Sequence, residues 1–166
     1  MKKLIILVAI FSGVFIGANA QSDYKSAIGG RLGSPISFSF KQFIIKDAGA
    51  IELNAGFAPV GYGAYFRIGG MYQHHFPIKP VEGLKWYVGG GIFADFYHYD
   101  NQHDGYGYSK SSPGVNAVGG VDYKFKTIPL NLSADWTPSL FFNGDLYYSG
   151  RFRPGYGAIS VRYVLK

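Results

Sequence analysis

Apolar and polar residues alternate along most of the chain after residue 20. The clearest case is residues 84–100, where Trp86 and Phe96 fall on one face of an extended chain and Lys85 and Asp95 on the other. Because successive side chains of a β-strand point to opposite faces, this period of two predicts strands. Seven further stretches repeat it: residues 24–33, 36–45, 50–57, 64–76, 115–125, 130–138 and 158–166.

About eight strands predict an all-β fold, an eight-stranded antiparallel up-and-down barrel. Most of the stretches are close to the 9–11 residues that a tilted strand needs to cross a bilayer. Eight strands make the smallest common closed barrel, and closure leaves no unpaired sheet edge, which hydrocarbon does not tolerate. The alternation alone fits either a membrane barrel, apolar outside, or a soluble lipocalin-like barrel, apolar inside.

Three further features favour a transmembrane β-barrel. The apolar face carries more Trp, Phe, Tyr and Leu than the lumen of an eight-stranded barrel could hold. The polar face carries Gly, Ser, Asn and about one charge per strand, a sparser set than a solvated exterior. Connections such as "KDAGA" and "KTIP" are short on one side, and "NQHDGYGYSKSSP" and "NGDLYYSGRFRPG" are long on the other, as for periplasmic turns and outer loops.

Composition limits the kinds of chemistry and binding that the chain can support. Aromatic residues make up 18% of the 166-residue chain and charged residues only 16%, which suits a sheet in contact with lipid. The absence of cysteine excludes disulfides, thiolate metal sites and a cysteine nucleophile. The modest positive net charge of +6 gives no support for nucleic acid binding.

The first twenty residues predict a cleaved secretory signal peptide. Lys2 and Lys3 precede an apolar run from Leu4 to Ala18, and the run ends in Ala18-Asn19-Ala20, a small-x-small cleavage site. The apolar run is short for a bilayer-spanning helix. We therefore expect residues 1–20 to be removed and residues 21–166 to form the barrel domain.

The polar face predicts an ion-pair network in the lumen. Five cations and four anions fall on it, and an unpaired charge buried in a narrow lumen would cost several kcal/mol. The residues of this expected network are Arg31, Lys41, Glu52, Arg67, Asp95, Asp122, Lys124, Asp135 and Arg162. Eight strands leave no room for an open channel, so little or no conductance is expected.

The opposite face and the loops predict contacts with lipid. Aromatic residues expected to face the bilayer are Phe66, Tyr72, Trp86, Phe96, Trp136 and Tyr163. Arg151 and Arg153 lie in a loop beside aromatic residues, where arginine forks suit the phosphates of lipopolysaccharide.

Several motifs resemble a known family. The segments "SFSFKQFI", "GMYQHHFPI", "LKWYVGGGIFADF", "VGGVDYKFKTIPLNLSADWTPS" and "ISVRYVLK" are similar to the small outer-membrane β-barrel proteins common in the Bacteroidota, related in architecture to opacity-type and OmpA-type domains. The resemblance covers nearly all of residues 21–166. It implies an integral outer-membrane location and contact with the insertion machinery. The chain departs from the usual assembly signal because Lys166, not an aromatic residue, ends it.

An enzyme is an alternative, since some eight-stranded barrels of this membrane trim or acylate lipid A. Such chemistry needs a histidine and a serine oriented by a carboxylate. Candidates near the outer end are His98, His103, Ser109, Ser111, Ser112, Asp100 and Asp104, but no compact His-x-Ser motif lies within a strand. The adjacent His74 and His75 would point to opposite sides of a strand, so no metal site or other cofactor is predicted.

The sequence therefore predicts a small outer-membrane barrel with a structural or surface-interaction role and a lumen closed by ion pairs. A lipid A deacylase or acyltransferase is the first alternative and a narrow pore the second. The expected partners are outer-membrane lipid, lipopolysaccharide, the insertion machinery and an extracellular ligand of the loops.

Overall fold

The computed structural model describes residues 24–60, 63–100, 107–143 and 150–165. The predicted signal peptide, residues 1–20, lies outside the described residues, as do His103 and Asp104. Among the described residues, no helix is long and apolar enough to cross a membrane.

The described residues form ten strand segments. They are β1 (Ser26–Gly33), β2 (Ile36–Ile45), β3 (Gly49–Val60), β4 (Gly63–Pro77), β5 (Leu84–Asp100), β6 (Gly107–Lys124), β7 (Leu130–Trp136), β8 (Ser139–Phe141), β9 (Phe152–Arg153) and β10 (Gly157–Leu165). Each of β1 to β6 pairs antiparallel with the next, β7 pairs with both β6 and β10, and β10 pairs back with β1. The sheet is therefore closed.

Ten segments make eight barrel strands because two strands are interrupted. β7 and β8 pair with β6 one after the other and are separated only by Thr137 and Pro138. In the same way β9 pairs with β8 and β10 pairs with β7, with residues 154–156 between them. The predicted eight-stranded antiparallel barrel is confirmed.

One predicted loop is mostly strand. Residues 101–113 were expected to form a long outer connection, but β6 begins at Gly107, and residues 107–113 pair with residues 94–100 of β5. Pairing in this extended hairpin satisfies backbone groups that a free loop would leave to water, and the Ser109 and Ser111 side chains are exposed on its outer face.

The distribution of side chains is inside out: apolar side chains cover the outer face of the barrel, and charged side chains lie in its interior. On the outer face Ile92 is 69% exposed and Ile36 is 64% exposed, whereas Arg162 and Glu52 in the interior have no exposed surface. The aromatic residues expected to face lipid are placed on this outer face: Phe66, Tyr72, Trp86, Phe96 and Trp136 are exposed, and Tyr163 is half-buried there. A water-soluble barrel would have the opposite distribution.

Glycine allows the wall to coil tightly between β4 and β5. A Cβ atom on Gly89 would stand 1.9 Å from the Tyr72 carbonyl oxygen, and one on Gly91 would stand 2.2 Å from the Gly70 carbonyl oxygen. Neither distance is compatible with any side chain, so these positions require glycine where the sheet bends.

Candidate functional site in the barrel lumen

Among the described residues, four cations of the lumen each pair closely with a different carboxylate, one pair after another along the barrel. Nearest the side where β1 begins, the Lys41 ammonium donates to the Asp122 carboxylate over 2.8 Å. The Asn131 side-chain amide donates to the same carboxylate over 2.8 Å, and the Tyr24 hydroxyl lies 3.4 Å from it. Burial and the Asp122 charge hold the pKa of Tyr24 well above its usual range, so the hydroxyl keeps its proton and donates.

Glu52 is the centre of the next group. Its carboxylate accepts hydrogen bonds from Arg162 at 2.6 Å, from the Ser39 hydroxyl at 2.8 Å and from the Gln73 amide at 2.7 Å. Arg162 in turn donates to Ser39 and Ser133, each over 2.7 Å. Every one of these residues is buried, so the charges are held by protein groups in place of water.

Arg31 and Asp135 form the third pair. Both terminal guanidinium nitrogens of Arg31 donate to the Asp135 carboxylate, over 2.6 and 2.5 Å. The Tyr87 and Thr137 hydroxyls donate to the same carboxylate, each over 2.9 Å. Arg31 also lies 3.8 Å from Glu52, which connects this pair with the preceding group.

Arg67 and Asp95 form the fourth pair, toward the outer end. They are direct neighbours across β4 and β5, and the Arg67 guanidinium donates to both carboxylate oxygens, over 2.5 and 2.7 Å. The guanidinium also lies 4.4 Å from the centre of the Phe93 ring and 4.6 Å from that of Tyr156. The two hydrogen bonds to Asp95 and the contacts with aromatic rings together hold the Arg67 side chain in place.

Lys124 differs from its expected role. Its ammonium donates to the backbone carbonyls of Phe125 and Ile128, at the end of β6, and not to a carboxylate of the described residues. Lys124 is the last residue of β6, and the carbonyls that it binds belong to the segment that follows the strand. The network thus balances four cations against four anions within the described residues.

Little free space lies between two of these pairs. The cavity lined by Arg31 and Arg67 has a volume of about 30 Å³, which is the space of about one water molecule. A charge-paired and hydrogen-bonded interior of this kind can hold the barrel wall together.

The two candidate arginines of the outer loop are placed apart. Arg151 is exposed. Arg153 donates to the Tyr156 hydroxyl over 2.5 Å and lies 5.0 Å from the centre of that ring, so it is part of the upper barrel packing. Of these two arginines, only Arg151 is therefore fully exposed.

The histidines are placed on different faces. His74 contacts the Tyr72 hydroxyl on the outside, whereas His75 is buried between the rings of Phe43 and Tyr87. No group of three His, Cys, Asp or Glu side chains among the described residues could hold a metal ion.

The structure brings two of the candidate residues of the enzyme alternative into contact. His98 and Ser109 are opposite each other on β5 and β6, and the His98 Nδ1 atom lies 3.0 Å from the Ser109 Oγ atom. The pair forms across strands, so no motif within one strand reveals it. Ser111 lies on the same outer face, whereas Ser112 is buried inside.

A closed barrel with an apolar exterior and a charge-paired interior is the architecture of the small outer-membrane β-barrels. Two solved structures share the fold. Neisserial surface protein A is 18% identical, with a TM-score of 0.57 over 84% of this chain and 93% of its own. The N-terminal β-barrel domain of OprF from Pseudomonas aeruginosa is also 18% identical, with a TM-score of 0.57 over 87% of this chain and 98% of its own.

Both of these neighbours are eight-stranded outer-membrane barrels, and the likeness establishes the fold of this chain. No protein-family model matches the sequence, and no curated protein matches it.

Proposed function

We propose that this chain is a small integral outer-membrane β-barrel protein with a structural or surface-interaction role, of the kind common in the Bacteroidota. The observation that carries the proposal is the inside-out distribution of side chains. Exposed isoleucine and phenylalanine on the wall suit lipid, and four buried ion pairs fill the lumen. Export by a signal peptide cleaved after Ala20 is part of the proposal.

The interacting surface would be the outer end of the barrel. Arg151 and the connections at residues 101–106 and 144–149, which lie outside the described residues, are the parts available to lipopolysaccharide or to an extracellular ligand. The insertion machinery would meet β10, whose Tyr163 is the last aromatic residue of the lipid-facing side.

Fractionation of cells tests the location. We expect the protein in the outer-membrane fraction, migrating on a gel at a different apparent mass before and after boiling, because a closed barrel resists detergent until it is heated. A protein found in the soluble periplasmic fraction, or one that migrates identically under both conditions, would contradict the proposal.

Conductance measurements test the closed lumen. In planar lipid bilayers we expect no single-channel steps, because the Arg67–Asp95 pair and the rings around it leave no water-filled path. The matched variants are Arg67→Met, in the lumen, and Arg151→Met, on the surface. Steps in the unmodified protein that change with Arg67→Met and not with Arg151→Met would establish the narrow pore instead.

The lipid-modifying enzyme has one observation in its favour, the contact between His98 and Ser109. Both side chains are exposed, and none of the described residues lining the cavity beside them is a carboxylate that could orient the histidine. The side chain of Asp100, the candidate carboxylate two residues from His98, lies outside the described part of the structure.

A further inference from the structure

The strand register places three phenylalanines in one row on the outer wall. Phe57 is opposite Phe66, Phe66 is opposite Phe96, and Phe96 is opposite Ser111. The rings are 43–55% exposed, so the row presents apolar surface to the bilayer. Ser111 ends it with a hydroxyl group.

A polar row lies directly beyond the phenylalanines. Ala64 is opposite His98, and His98 is opposite Ser109, which it contacts. Because β5 leads toward the outer end of the barrel, His98 lies farther out than Phe96. The wall thus changes from apolar to polar in the same direction as a lipid of the outer leaflet, from acyl chain to headgroup.

The two rows line an open cavity of about 580 Å³ on the outer wall. This volume is within the range of small-molecule sites. The lining includes the small residue Ala64 and, among the described residues, no carboxylate. The His98, Ser109 and Ser111 side chains share the outer face, whereas Lys110 is opposite Tyr97 and belongs to the other face of β6. An anionic group on the outer face would meet the imidazole and two hydroxyls, which can all donate hydrogen bonds to it.

From these observations we infer that the outer face of β3 to β6 binds one phosphorylated lipid of the outer leaflet, with an acyl chain along the phenylalanine row and a phosphate beside His98 and the Ser109 and Ser111 hydroxyls. The inference rests on the proposed outer-membrane location. It adds a contact on the wall of the barrel to the contacts proposed for the outer end.

Native mass spectrometry of the folded protein released from detergent micelles tests the inference, with purified lipid A as the probe. We expect one lipid A molecule to be retained per barrel. Ala64→Trp fills part of the cavity and should weaken retention about tenfold or more, since the acyl chain and a ring cannot occupy the same space. Ala134→Trp is the matched control, because Ala134 is exposed on the outer face of β7 between Val121 and Ile159.

A second set of binding measurements tests the phosphate contact. Lipid A from which the phosphates have been removed should bind about tenfold more weakly, and His98→Ala should weaken binding of the phosphorylated form while Lys126→Ala, at an exposed cation beyond the opposite end of β6, does not. Migration of each variant before and after boiling shows whether it has folded, so a failure of the outer-membrane proposal is distinguishable from a failure of this one.

Three outcomes would overturn the inference. Equal retention by the Ala64→Trp and Ala134→Trp barrels would show that lipid A binds only as part of a general lipid shell. Equal retention of the dephosphorylated form would remove the phosphate contact. Loss of a fatty acid from the bound lipid, in a manner that requires Ser109, would show hydrolysis and make His98 and Ser109 catalytic residues.

Discussion

Replacing Arg162 by methionine should destabilise the barrel by about 3–5 kcal/mol, because it leaves the Glu52 carboxylate buried without its main partner. Both side chains lack exposed surface and are joined over 2.6 Å. The same change deprives the Ser133 hydroxyl of its bond to Arg162. Unfolding by guanidinium in detergent micelles, followed by the fluorescence of Trp86 and Trp136, measures the loss.

Two further variants decide whether the cause is the isolated charge. Adding Glu52→Gln to Arg162→Met removes that charge, so the double variant should recover a substantial part of the lost stability. Lys126→Met breaks the exposed pair with Glu82 and should cost at most about 1 kcal/mol. A double variant no more stable than Arg162→Met alone would mean that packing around the guanidinium, and not charge, stabilises this part of the lumen.

The contrast between the four ion pairs shows how far the sequence could predict the site. The alternation of residues places Arg67 and Asp95 on one face of two strands that are neighbours along the chain, and their pairing follows from the register of a hairpin. Arg162 and Glu52 are 110 residues apart and meet across the lumen. Their contact depends on barrel closure and strand tilt, which a period of two does not contain.

The uncharged polar residues of the network could have been predicted from the sequence. Ser39, Gln73 and Asn131 occupy inward positions of their strands and bind the buried charges directly. They could have been found by giving every polar residue on the charged face the same weight as Arg and Asp. The role of Lys124 was harder to predict, because the alternation shows which face of a strand a residue occupies but not how far along the barrel it lies.

The contact between His98 and Ser109 was not predictable, because Ser109 lies in a Gly-, Ser- and Tyr-rich segment that is typical of a loop. Here that segment extends β6 beyond its pairing with β8, and pairing with β5 outweighs the weak strand preference of its residues.

Replacing Ile92 by arginine should be the most damaging change on the outer wall. Ile92 is 69% exposed near the middle of β5, so its side chain lies where the proposed membrane location puts hydrocarbon. An arginine near the bilayer midplane of a barrel costs about 2–4 kcal/mol, against about 0–1 near the interface. Guanidinium unfolding in lipid vesicles and the yield of the heat-modifiable form measure the effect.

Phe152→Arg is the matched control for this change. Phe152 is 62% exposed, nearly as much as Ile92, but it lies in β9 near the outer loop, where a guanidinium can reach headgroups and water. A large loss of stability for Ile92→Arg and a small one for Phe152→Arg would show that Ile92 lies deep in the bilayer and Phe152 near its surface. Equal small losses would mean that water, not lipid, surrounds Ile92, and a water-soluble barrel with an unusually apolar surface would then have to replace the membrane barrel.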